Sequence, residues 1–178
     1  MNLTEKTTAS ETLYKGSVIE LTVDKVLLPN GKEAKREVVK HRGGVGVIAE
    51  DDNGNILFVK QFRYPYKEVV LEIPAGKRDS VDEDPLECGK RELREETGAV
   101  AKEMIPLGKL YPSPGYCGEI IWLFAAKGLE FSENDLDEDE FLNLERIPLE
   151  KAVKMVLDGE IFDAKTQIAI LKYQMLKK

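Results

Sequence analysis

Apolar and polar positions along the chain alternate with two rhythms, one of strands and one of helices. Residues 18–28 and 34–39 are β-rich runs joined by Pro29-Asn30-Gly31, a turn dipeptide between strand-like flanks that predicts a hairpin. Two strands alone are marginal in water, so this unit must pack on something else. Residues 43–49 and 56–59 give two further strands around Asp52-Asn53-Gly54, and residues 69–76 lead toward the first helix. Residues 107–110 predict a short strand, while the unbroken apolar run 120–126 predicts a central strand buried on both faces. The first ten residues are polar and predict a frayed end.

The helical rhythm appears three times. At about 100° per residue, Leu86, Leu93 and Thr97 fall on one stripe. Asp84 is the predicted N-cap, Pro85 suits the first helical position, Glu87 completes a capping box and Gly98 ends the helix. Residues 148–157 predict a second amphipathic helix on Leu149, Val153, Val156 and Leu157. Residues 163–176 predict a third, capped by Asp163, with Ile168, Leu171 and Met175 inward. These elements define an α/β (α+β) class, with the helices covering a sheet.

Composition adds boundaries. The 178 residues suffice for one domain with a small appendage. The 42% hydrophobic and 33% charged content is that of a soluble globular protein, with neither a membrane-length apolar run nor a leader pattern. A net charge of −7 argues against a nucleic-acid binder. Cys88 and Cys117 make neither a disulfide framework nor a zinc spacing, so a reducing cytoplasm is expected. Any serine or cysteine nucleophile relying on histidine would need His41, the only one, which sits near a strand end and reads as structural. No phosphate loop is found: the glycines at 43, 44 and 46 lead into a strand, not a helix.

The first helix breaks stability rules at its C-terminal end. Glu95 and Glu96 occupy the last turn, where the helix dipole favours cations, and Glu92 repels Glu96 one turn away. A hard divalent cation would reverse both penalties. Local rules broken together mark a functional site.

The run Arg91-Glu92-Leu93-Arg94-Glu95-Glu96-Thr97-Gly98-Ala99, preceded by Glu83 at seven intervening residues and by Gly76, resembles the Nudix hydrolase box. The loop between Gly76 and Glu83 holds six residues where the family has five, and Ala99 stands where a larger aliphatic is usual. Gln61-Phe62-Arg63 and Pro114, sixteen residues after Gly98, resemble marks of the ADP-ribose pyrophosphatase subgroup.

The resemblance implies a Nudix-type α/β/α sandwich with a mixed sheet (42–178) and a small N-terminal antiparallel sheet (1–41) that exchanges across a homodimer. It implies hydrolysis of the ADP-ribose diphosphate to AMP and ribose 5-phosphate, with Mg²⁺ as cofactor and Mn²⁺ able to substitute. Metal would be held by Glu92, Glu96, the Ala75 carbonyl and Glu140; Glu138 would be the base, and Glu95 a further ligand or a residue orienting one. Arg91, with Glu83 sharing the network, would hold these carboxylates in place. Substrate would meet Arg36, Glu37, Arg63, Pro114 and Gly115. The acidic stretch 133–140 that carries Glu138 and Glu140 also reads as a solvated loop. Another nucleoside diphosphate compound as substrate, a non-catalytic ADP-ribose sensor and a passive Ca²⁺ module are the competing readings.

Overall fold

The computed structural model describes residues 2–132 and 141–177. The chain divides into two compact units, Met1–Gly43 with Tyr111–Ile120, and Gly44–Leu110 with Ile121–Lys178.

The first unit is a three-stranded antiparallel sheet, β1 (Lys6–Lys15), β2 (Ile19–Leu27) and β3 (Glu33–His41), in that order. The expected hairpin joins β2 to β3, with Gly31 at φ 80° in its turn. The frayed end predicted for the first ten residues is corrected: Lys6–Lys15 pairs with β2 from Lys6 opposite Leu27 to Lys15 opposite Glu20. All ten residues of β1 are exposed, so no buried face imprints a period of two on its sequence. The segment Tyr111–Ile120 is fastened to β3: Val39 N donates to Tyr116 O at 2.8 Å, and Gly118 N donates to Val39 O at 2.8 Å.

The second unit contains two sheets. One is mixed, in the order β7 (Ala75–Lys77), β4 (Gly44–Ala49), β9 (Ile121–Phe131), β8 (Ala99–Leu110), with β4 parallel to β9 and the other pairs antiparallel. The other is antiparallel, in the order β10 (Leu142–Pro148), β5 (Asn55–Arg63), β6 (Glu68–Glu72). The strands on either side of the Asp52-Asn53-Gly54 turn therefore belong to different sheets, linked by a single Glu50–Ile56 bridge. Two strand expectations change. The short strand at 107–110 is the end of the twelve-residue β8, and β10 had no counterpart in the sequence reading.

Helices pack on both faces of the mixed sheet. Val45, Val47 and Ala49 of β4, with Phe124 and Ala126 of β9, meet Cys88 and Leu93 of α1 (Pro85–Thr97). The alternate residues Ile48, Leu123 and Ala125 meet Ala169, Ile170 and Tyr173 of α3 (Ala164–Leu176), with α2 (Leu149–Leu157) contributing Leu149 and Ala152. Fully burying each such large side chain contributes about 1.5–3 kcal/mol. The face expected of α3 is corrected: Leu171 and Met175 are exposed, and the helix buries Lys165, Thr166, Ala169, Ile170 and Tyr173. Apolar residues surround this helix, so periodicity does not choose a face. On α2, Leu149 is buried as expected, whereas Leu157 is exposed.

Candidate active site

The site is built where α1 crosses β7. Asp84 caps the helix, its Oδ1 accepting from Leu86 N at 2.8 Å and from Glu87 N at 3.3 Å, and Gly98 closes it at φ 70°. The carboxylate of Glu87 is taken by Lys90 at 2.7 Å rather than by the cap. Leu93 and Thr97 are buried as the stripe predicts. This packing fixes the helix rotation and drives Glu92 and Glu96 inward, where they are 7% and 2% exposed.

Two contacts join those carboxylates to the strand. Glu96 Oε2 accepts from Ala75 N at 2.9 Å. A Cβ at Gly76 would fall 2.0 Å from Glu92 Cδ, so only glycine leaves room for this carboxylate. Arg91 sits in the middle: Nη1 donates to Glu92 Oε1 and to Glu95 Oε2, each at 2.9 Å, and Nη2 donates to Glu83 Oε1 at 3.3 Å and to Lys77 O at 3.2 Å. Burial opposes the Arg91 charge, but Glu92, Glu83 and Glu95 outweigh it, and its pKa rises above the ordinary arginine value. Burial would raise the Glu83 pKa too, yet the Asp79 amide and Arg91 hold it below the usual carboxylate range. Glu87 pairs with Lys90, while Arg91 turns into the carboxylate group and keeps Glu95, one turn on, as a partner.

The longer loop before Glu83 is tied down by Arg78, whose Nε donates to Glu83 O at 2.8 Å while its guanidinium lies 5.0 Å from the centre of the Trp122 ring. Cys88 is fully buried and, chiefly by desolvation, pushed up to about 12, so it is an inert thiol at neutral pH.

The oxygen-rich donor set suits a hard divalent cation. Glu83, Glu92 and Glu95 bring three carboxylates onto the guanidinium of Arg91, the glycine cradle at residue 76 seats Glu92 against the strand, and Glu96 is held there by the Ala75 amide. Among the described residues, no three His, Cys, Asp or Glu side chains already converge as a complete ligand set. Glu138 and Glu140 lie outside the described residues.

Arg63, at the end of β5, forks onto Glu72 across the β5–β6 hairpin, with Nε to Oε1 at 2.6 Å and Nη2 to Oε2 at 2.7 Å. Burial opposes its charge, while Glu72 and, through space, Glu96 raise its pKa. Glu72 also accepts from Lys165 Nζ, and neither partner was singled out in the sequence. The available signal was a glutamate inside an apolar strand, between Leu71 and Ile73.

Within the first unit, Arg36, Glu37 and Gly115 come together with Val23, Lys35 and Tyr116 around a cavity of about 320 Å³. Arg36 is paired there with Glu5, Nε–Oε2 at 2.9 Å and Nη2–Oε1 at 2.6 Å. Pro114 adjoins Gly115 in the loop fastened to β3. His41 accepts from Gly43 N at 3.0 Å, a structural contact.

Residues 40–167 match the NUDIX domain model. The chain belongs to the Nudix family. Residues 5–39 match a second model, the nucleoside diphosphate sugar hydrolase N-terminal domain. An ADP-ribose pyrophosphatase of Bacillus subtilis (strain 168) is 47% identical over 99% of this chain and 96% of its own length. A methanol dehydrogenase activator of Bacillus methanolicus is 44% identical over 96% of this chain and 93% of its own. A solved ADP compounds hydrolase superposes with a TM-score of 0.86 at 20% identity, covering 99% of this chain and 96% of that one, which establishes the fold. Nudix hydrolases use divalent metal ions, in keeping with the carboxylates of α1. Among the described residues, no helix is long and apolar enough to cross a membrane.

Proposed function

We propose that this Nudix enzyme hydrolyses the diphosphate of ADP-ribose to AMP and ribose 5-phosphate with Mg²⁺, and that Mn²⁺ substitutes. The observation that carries the reading is the Glu92–Gly76 and Glu96–Ala75 junction, which packs two nearly buried carboxylates against one strand, in a chain sharing 47% identity over almost its full length with an ADP-ribose pyrophosphatase.

Water adds to one phosphorus, the bridging P–O bond breaks, and the leaving phosphate departs as a monoester. Glu92, Glu96 and the Ala75 carbonyl would hold the metal, with Glu140 completing the set. Bound there, a divalent cation supplies neutralisation of the diphosphate charge and activation of the attacking water. Glu138 takes the proton from that water, and Glu95, held by Arg91 at 2.9 Å, is a further ligand or orients one. Arg63 meets the diphosphate with the guanidinium edge that Glu72 leaves over. Arg36, Glu37, Pro114 and Gly115 contact the adenosine side. The unit at residues 1–41 exchanges between the two subunits of a homodimer, residues 42–178 form the hydrolase domain, and the enzyme works in the cytoplasm.

The similarity of residues 5–39 to a nucleoside diphosphate sugar hydrolase N-terminal domain favours a sugar nucleotide as the second reading. Chromatography of ADP-ribose and of nucleoside diphosphate sugars incubated with the protein and Mg²⁺, beside Glu96→Gln, separates them. AMP and ribose 5-phosphate from the wild type alone support the proposal. Cleavage of sugar nucleotides with ADP-ribose intact replaces the substrate, and binding of uncleaved ADP-ribose points to a sensor.

A further inference from the structure

Four consecutive residues, 72–75, are tied to four elements of the second unit, β5, α3, β4 and α1, with α3 holding two of them. Glu72 is gripped by Arg63 and Lys165. Ile73 N donates to Thr166 Oγ1 at 2.9 Å, Pro74 O accepts from Val47 N at 2.8 Å, and Ala75 N donates to Glu96 at 2.9 Å. Two of these ties come from neighbouring residues at the start of α3, Lys165 and Thr166, some ninety positions away in sequence. Thr166 is fully buried and Lys165 is 9% exposed. A lysine so enclosed does not reach a ligand. Its ammonium is spent on Glu72 and on Asp163 Oδ1 at 3.2 Å, the N-cap of the same helix.

Glu72 is thus held from both sides. With Nε and Nη2 of Arg63 on its two oxygens, the remaining Nη1 edge of the guanidinium is the one left to meet an anion. The Arg63 side chain is 36% exposed while Glu72 is 3% exposed, so the pair presents the cation outward and keeps the carboxylate in. A buried carboxylate needs a second partner for the hydrogen-bonding capacity that one guanidinium leaves unmet. Lys165 supplies that second partner from a rigid helix.

We propose that Lys165 is a positioning residue: by fixing Glu72 from the α3 side it sets the angle at which Arg63 offers its free edge to the substrate diphosphate. The inference rests on the reading of Arg63 as a diphosphate contact given above. Without Lys165, Arg63 keeps its charge but loses its direction.

The test is a double-mutant cycle of Lys165→Met and Arg63→Ala, read as kcat/KM on whichever nucleoside diphosphate compound the wild type cleaves. Calorimetric affinity for that compound in EDTA, where nothing turns over, gives the second readout. Each single variant is expected to lose at least about tenfold in both, with Lys165→Met acting mainly on KM, and the double variant to lose no more than about twofold beyond Arg63→Ala. Losses that multiply, or a Lys165→Met enzyme at wild-type kcat/KM, overturn the proposal. If melting shows Lys165→Met unfolded at the assay temperature, Lys165→Gln takes its place under the same criteria. Failure of the wild type on ADP-ribose but not on a sugar nucleotide overturns only the substrate, and the cycle is then run on that compound.

Discussion

The carboxylate of Glu92 occupies the space that a side chain at residue 76 would need: a Cβ built on Gly76 lies 2.0 Å from Glu92 Cδ and 2.2 Å or less from both oxygens. Neither group yields cheaply, because Gly76 belongs to β7 and Glu92 is 7% exposed on a helix fixed by Leu93. Gly76→Ala is therefore expected to displace the Glu92 carboxylate, lowering stability by about 1–3 kcal/mol and kcat by about a hundredfold or more, as misplacing a catalytic group does. Retention of wild-type kcat by a folded Gly76→Ala protein would show that Glu92 is not a ligand in this position.

Arg91 carries the opposite burden. It bonds Glu83, Glu92 and Glu95 together and is the cation at the centre of that group. Removing one partner of a part-buried charge network leaves carboxylates that repel each other. Arg91→Ala is expected to cost about 2–4 kcal/mol in EDTA and measurably less in saturating Mg²⁺, where a divalent cation takes over part of the charge. Urea unfolding in the two buffers checks this; an equal loss in both would mean that metal and guanidinium do not act on the same carboxylates.

The first helix was legible down to its caps because its signals are local: Asp84, Pro85 and Gly98 act on backbone groups within one turn. The acidic last turn was legible for the same reason. What escaped the sequence depends on distance or on the absence of a buried face. All of β1 is exposed, so its first half, residues 6–10, looked like part of a frayed end. The burial of β8 follows no strict alternation, with the adjacent Lys102 and Glu103 both exposed and Met104 and Ile105 both half-buried, and only its last four residues stood out. The helix α3 has apolar residues around its circumference, and the sheet selects Ala169, Ile170 and Tyr173. Lys165 finds Glu72 across 93 positions, a pairing that no local pattern announces.

Glu72 should leave a signature in acid. Burial would raise its pKa, but Arg63 and Lys165 outweigh that and hold it below the usual carboxylate value. A carboxylate whose folded pKa is depressed contributes stability that is complete above its unfolded pKa, about 4.3, and is lost as pH falls through the lower folded value. Glu72→Gln is thus expected to be less stable than the wild type at pH 7, the gap closing as pH falls below about 4. Denaturant titrations from pH 7 to pH 3 measure it; a gap that stays constant or widens in acid would mean the pair does not stabilise the charged form.

The carboxylates at the end of α1 make metal binding visible without any substrate. Glu92 and Glu96 are almost fully buried on one face of a helix whose dipole already disfavours negative charge there. A cation bound to the folded state alone stabilises it by about 2.7 kcal/mol at a hundredfold excess over its Kd. For a chain of this size that shift corresponds to a rise in Tm of about 5–10 °C. Glu96→Gln keeps an oxygen for the Ala75 amide and removes one negative charge, so its fold is expected to persist while its Mg²⁺ response falls to a small fraction of the wild-type value. Differential scanning calorimetry with EDTA, Mg²⁺ and Mn²⁺ on both proteins reads the comparison. A wild-type Tm unmoved by millimolar Mg²⁺ or Mn²⁺ would remove these carboxylates as metal ligands, and an equal shift in Glu96→Gln would move the binding elsewhere on the chain.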